Sequence, residues 1–307
     1  MVFVQTEFYK AWEAYDKAIK GHRFYEFGHL IIILFLYELL LAIFFNPKVV
    51  AYNGVDMWFK VSTILPGMTA PLSIYLIARW GWKLWHDYRG KKTDAEVRKD
   101  LKEMKKNKNF KPKGKPAWKK TGNWYYFGMM VAEGFVYGSL LIMLLPNIIY
   151  FLLSIVDPQV VVPATLDASN SLAPYHTSLL LNVGLAFGAG FYEEVIFRGL
   201  LFLGLARLAA KTKFFKGFKT ETQGVGFFPV KIPKFKRDSG VTYVVCVAAV
   251  IYAFSHYVYP FGDTFSLYSF FNRFFFGVIM YIIFANRRLP IVAWTHVFYD
   301  IWYFVLL

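Results

Sequence analysis

Three short spacings place acids and imidazoles inside apolar runs. Glu193-Glu194-x-x-x-Arg198 lies within the run from Ser178 to Ala210. Tyr252-x-x-x-His256 closes a second run, and His296-x-x-x-Asp300 sits within a third. Side chains four apart share a helix face, so Glu194 can pair with Arg198, and His296 with Asp300. Glu193 points about 100° away from Glu194 on a regular helix. One carboxylate is then restrained while its neighbour is able to act on a water. Gathered around one polar cavity, Glu193, Glu194, His256, His296 and Asp300 supply a base, a proton carrier and groups that steady a developing negative charge. That set suits water-dependent hydrolysis. No Ser or Cys stands with a His in a pattern that favours a covalent nucleophile.

Each piece also has a plainer reading. Glu194–Arg198 could be a buried ion pair that only fixes packing, His256 an interfacial residue, and His296–Asp300 an orienting hydrogen bond. Their joint occurrence is harder to explain that way, because a charge at bilayer depth costs about 3 kcal/mol to insert and is normally put to use.

The surroundings are those of a membrane protein. The chain has 307 residues, 57% hydrophobic and only 18% charged, too apolar for a soluble domain without large exposed patches. Its formal charge of +15 is concentrated in two loops: 15 Lys/Arg against 5 acids between Lys83 and Lys120, and 8 against 2 between Lys211 and Gly240. Basic loops between apolar runs mark the inner membrane face and argue against a nucleic-acid partner. The single cysteine, Cys246, excludes a disulfide framework and a thiolate metal cluster. The first residues lack the pattern of a cleavable signal peptide.

These features predict an all-α fold, a polytopic helical bundle of about seven membrane spans (six to eight). Residues 1–28 read as an amphipathic interfacial helix, with packing against the bundle as the alternative. Two spans occupy 29–82, a basic cytoplasmic loop 83–122, and a catalytic core 123–307 that contains the basic loop 211–240. In the core, spans are expected at Trp124–Val156, broken by Pro146-Asn147, and at Ser178–Ala210. Three more follow at Val241–Tyr259, Leu267–Ala285 and Leu289–Leu307. Gly184/Gly188 and Ala186/Gly190 form small-xxx-small pairs that admit neighbouring helices. This topology places the N-terminus on the cytoplasmic side, in the cytoplasmic membrane of a prokaryote. It also raises a problem of depth. His256 lies about 20 Å along its span and His296 about 10 Å along the last, so they meet only if spans are unequal, tilted or partly unwound.

In order and spacing, the three motifs resemble the CPBP family of CAAX proteases and bacteriocin-processing proteins, also called Abi proteins. Arg273-Phe-Phe-Phe-Gly277 and Leu289-Pro-Ile-Val-Ala-Trp-Thr-His296 are similar to that family's flanking pattern, and the resemblance covers about Leu179 to the C-terminus. It implies an intramembrane endopeptidase acting on a membrane-embedded or lipid-anchored peptide or protein within the bilayer. By resemblance, Glu193 and His256 activate water, His296 and Asp300 form the oxyanion side, and Glu194–Arg198 is a supporting pair. Two positions depart from the pattern. Tyr252 replaces the usual Phe, and Asp300 replaces the Asn of prenyl-protein members. An ionised Asp300 cannot donate to an oxyanion, so it must be protonated or serve to orient His296.

Glu, two His and Asp are also acceptable zinc ligands, which keeps a zinc-dependent form beside the preferred metal-free one. Two further readings are a proton-coupled transporter, since buried acids and His mark proton paths, and a non-proteolytic scaffold or regulator.

Overall fold

The computed structural model describes residues 15–16, 23–44, individual positions between 74 and 82, 102–103, 124–156, 179–211, 220–225, 228–233, 239–258 and 265–306. Most of the expected N-terminal helix, the second span and the loop 83–122 lie outside these residues.

The described chain is a helical bundle. Helix α1 is Arg23–Phe44 and α2 is Trp124–Val156. Next, α3 (Leu179–Glu193) passes without a break into a π-helix (Glu194–Phe202) and then α4 (Leu203–Lys211). The remaining helices are α5 (Ser239–Ser255), α6 (Leu267–Arg287) and α7 (Leu289–Leu306). Three stretches, Tyr125–Val156, Leu179–Ala206 and Leu267–Arg287, are long and apolar enough to cross a bilayer. The outer faces are apolar: on α2, Phe135, Val136, Leu140, Met143, Leu144, Ile148 and Phe151 are all exposed. A surface of that kind suits lipid and not water.

Three expectations are corrected. Helix α2 continues through Pro146 instead of breaking there. The carbonyl that loses its helical bond to Pro146 is that of Ile142, four residues before, while the Asn147 side-chain amide donates to the next carbonyl, Met143, at 2.6 Å. The fifth span ends at Ser255, short of Tyr259. In its last turn the Ser255 hydroxyl and His256 Nδ1 both compete for the Tyr252 carbonyl, at 2.7 and 2.9 Å, and His256 lies in the turn that follows. Finally, the loop 211–240 carries an antiparallel hairpin, β1 (Thr220–Val225) with β2 (Phe228–Pro233), paired from Thr220↔Pro233 to Val225↔Phe228. Thr220, Thr222, Val225, Val230 and Ile232 supply the β-branched residues that favour it.

Helix α7 is the axis of the bundle: every residue from Leu289 to Val297 is buried. It packs on α1, α2, α3, the π-helix and α6. Lipid offers no hydrophobic incentive for helix association, so close backbone approach has to supply it. Gly190 touches α7: an added Cβ would collide with Val297 and stand 2.8 Å from the Ala293 carbonyl. Gly188 on another face receives Tyr37 of α1, where a Cβ would come within 2.5 Å of the ring. The two small-residue pairs thus serve two different partners. A third pair, Gly134/Gly138 on α2, lies against Trp294, Thr295 and Phe298 of α7.

Polar ties add to these contacts. Trp294 Nε1 donates to His29 Nδ1 at 2.8 Å, and the buried His29 ring stacks on Phe127 with centroids 3.5 Å apart. Trp302 Nε1 donates to Ser139 at 2.9 Å. At the α6–α7 junction, Arg288 reverses the chain with φ 74°. Beside it, Arg287 donates to both oxygens of Glu133 (2.5 and 2.6 Å) and to Asp16 (2.5 Å). Tyr15 donates to Glu133 at 2.8 Å, and burial and Glu133 together raise its phenol pKa far above the ordinary value. At Tyr15 and Asp16, therefore, the N-terminal segment packs on the bundle.

Candidate active site

The six residues singled out by spacing converge. Glu193 ends α3, Glu194 and Arg198 open the π-helix, His256 follows α5, and His296 and Asp300 sit on successive turns of α7. All but Asp300 are buried. Asp300 retains 21% side-chain exposure, the most of the set, and so lies at the open side. The π winding begins at the paired glutamates, and such segments occur frequently at functional sites.

Glu194 and Arg198 form the expected pair, Oε1 to the guanidinium at 3.1 Å. The same Oε1 also meets His296 Nδ1 at 2.6 Å, a contact that the spacing of separate helices did not reveal. Glu193 faces the other edge of that ring: its Oε2 lies 3.8 Å from His296 Nε2 and 3.9 Å from His256 Nε2. The adjacent glutamates therefore address opposite nitrogens of one imidazole. Asp300 Oδ2 stands 3.6 Å from His296 Nε2, beyond direct hydrogen-bonding distance.

Hydrogen-bond chemistry assigns the tautomer of His256. A carbonyl only accepts, so Nδ1 is the nitrogen that donates to Tyr252 O at 2.9 Å. In the neutral ring this leaves Nε2 as an acceptor, turned toward a carboxylate that also accepts. Two acceptors 3.9 Å apart are too far for a direct bond and suited to a water that donates one hydrogen to each.

Aromatic rings wall the site. Phe276 meets His296 edge-on at 5.0 Å, and Tyr252 meets His256 edge-on at 4.9 Å. The Arg198 guanidinium lies over the rings of both Tyr252 (4.5 Å) and Tyr281 (5.0 Å). The contacts of Tyr252 with His256 and Arg198 are made by its ring. Phe276 was visible only as part of a flanking pattern, and nothing in the sequence distinguishes Tyr281 from the other aromatics of α6. His256 and His296 meet despite their different distances along their spans: both lie within 3.9 Å of Glu193 Oε2, His256 from the turn that follows α5.

For zinc the fit is poor: among the described residues, no group of three or more His, Cys, Asp or Glu side chains is arranged to hold a metal ion.

Residues 175–302 match the family model for the type II CAAX prenyl endopeptidase Rce1-like proteins. No curated protein and no solved structure matches the chain. The matched segment holds every residue of the candidate site and all the motifs that carried the resemblance. Over that segment the chain is similar to the CPBP/CAAX intramembrane proteases, and its described residues form a helical bundle with stretches long and apolar enough to cross a membrane.

Proposed function

We propose that this protein is a glutamate-dependent intramembrane endopeptidase that hydrolyses a peptide bond of a membrane-embedded or lipid-anchored peptide or protein. The observation that carries the reading is the gap between Glu193 Oε2 and the acceptor nitrogen of His256, 3.9 Å, in a buried pocket also bounded by His296. A water that donates to both groups keeps its lone pairs for attack on a substrate carbonyl.

Glu193 takes a proton from this water as the oxygen attacks the scissile carbonyl carbon. The carbonyl π electrons move onto its oxygen. Doubly protonated, His296 donates from Nδ1 to Glu194 and from Nε2 to the oxyanion, with Asp300 beside it as a charge partner. When the tetrahedral carbon collapses, the C–N bond breaks and the leaving nitrogen takes the proton that Glu193 carried. The products are one new carboxylic acid and one new amine, with water consumed. Glu194, held by Arg198, fixes the His296 ring throughout. The clustered Lys and Arg of 83–122 and 211–240 favour a cytoplasmic position for both loops and for the N-terminus.

The test is comparative proteomics of membranes that carry the wild-type chain or Glu193→Ala, followed by reconstitution of any uncut precursor with purified protein in liposomes. The precursor should persist with Glu193→Ala and with His256→Ala, while both variants remain folded in the membrane. Equal processing by the wild type and both variants would overturn the mechanism. Ion-coupled flux lost in those variants, with no cleavage at all, would favour a transporter.

A further inference from the structure

We infer that Tyr281 is a positioning residue of this site, forming with Tyr252 an aromatic clamp that holds Arg198, and through it Glu194, against His296. The inference rests on the proposed peptidase reading for its catalytic consequence and on geometry alone for the clamp itself.

Arg198 is fully buried, as is Tyr281. Its guanidinium lies over two rings from two different helices, Tyr252 of α5 at 4.5 Å and Tyr281 of α6 at 5.0 Å. A planar, delocalised cation can be held by π faces while its edge stays available to a carboxylate. That edge meets Glu194 at 3.1 Å, and Glu194 meets His296 at 2.6 Å. Three links therefore separate Tyr281 from the imidazole that faces Glu193.

Tyr281 also grips the backbone of the same element. Its hydroxyl donates to the carbonyl of Phe197 at 3.3 Å, the residue just before Arg198 and inside the π-helix. One side chain on α6 thus fixes both the main chain leading to Arg198 and its head group. The other ring on the guanidinium, Tyr252, carries a second connection. Its ring meets His256 edge-on, and its carbonyl receives the His256 Nδ1 proton. Displacing Arg198 would disturb both imidazoles at once. One turn before Tyr281, Gly277 keeps the space open: a Cβ there would stand 3.0 Å from Tyr252 Cδ1.

A ring that merely filled volume would be replaceable by a branched aliphatic side chain. A clamp is not. Tyr281→Leu is expected to lower kcat about tenfold, the size of one desolvated cation–π contact, with KM unchanged. It should also shift the pH profile of kcat, because the Glu194–His296 couple loses its fixed geometry. Tyr281→Phe keeps the π face and should stay within about threefold of wild-type kcat. Met280→Ala, a fully buried neighbour on the same helix with no ring on Arg198, should reduce thermal stability without moving the profile. A Tyr281→Leu enzyme with wild-type kcat and profile would overturn the inference, and so would one that only matches Met280→Ala.

A second measurement does not depend on turnover. Melting of Tyr281→Leu, Arg198→Met and the double variant in detergent micelles should show losses that fail to add, because both single changes break one contact. Additive losses would refute the clamp even if the peptidase reading held. Non-additive losses with no cleavage by the wild type would keep the clamp and remove the reaction.

Discussion

Among the described residues, the ionic cluster at the α6–α7 junction and the one at the candidate site differ in closure. At the α6–α7 junction, Glu133 receives three hydrogen bonds, two from Arg287 and one from Tyr15, and Asp16 takes a further Arg287 proton. Donors and acceptors meet at contact distance. In the candidate site Glu194 is held that way, by His296 and Arg198. Glu193 and Asp300 stand 3.6 to 3.9 Å from the imidazole nitrogens they face. A cluster that closes on itself stabilises a chain crossing. One whose groups stand beyond direct hydrogen-bonding distance can take a bridging water. Both clusters bring acids and cations together, and spacing separates them.

That contrast can be broken most sharply at Glu193. Glu193→Ala should lower cleavage by roughly a thousandfold, the range of one lost general base, while melting in micelles stays near wild type. A collapse of stability instead would make the site a second structural cluster. Next in size is Glu133→Gln, expected to cost about 3 kcal/mol by leaving the buried Arg287 charge poorly matched. Turnover per folded molecule should hold, and the double change with Arg287→Met should recover much of the stability. Loss of turnover at intact stability would merge the two regions into one functional unit.

A smaller effect should separate two faces of one helix. Gly190→Ala pushes against Val297 and Ala293 of α7 and should cost about 1 to 3 kcal/mol, with a fall in kcat as His296 shifts. Gly188→Ala presses on Tyr37 of α1 instead, so a similar stability loss should leave kcat largely intact. Smallest of all is chelation: cleavage should survive a strong zinc chelator, as read in the liposome assay. Inhibition reversed only by added zinc would replace the carboxylate mechanism with a metal-bound water.

Much of the site was legible in the residues. Glu194–Arg198 and His296–Asp300 followed from helical periodicity, because a spacing of four fixes a shared face whatever the helix packs against. The insertion cost of charges in hydrocarbon then argued that groups on three separate runs had to meet. The small-residue pairs of α3 announced close neighbours for the same kind of reason, since a missing Cβ is a local property. The sequence could not say which neighbours, and Gly134/Gly138 on α2 went unread although it admits α7 as closely. Pro146 misled because a local rule against proline in helices ignores how membrane helices absorb one lost backbone bond by small adjustments.

By itself, then, the sequence determined the class of fold, the order of the core helices and the identity of the chemical groups, since hydropathy, charge placement and the 3.6-residue period are properties of the chain alone. Tertiary structure alone decided which nitrogen each carboxylate faces. Glu194 on one edge of His296 and Glu193 on the other, Arg198 over two tyrosine rings, and His256 in a turn instead of on a helix all depend on how separate helices rotate and end. Those rotations are set by contacts between residues far apart in sequence, for which no spacing within one helix carries a signal.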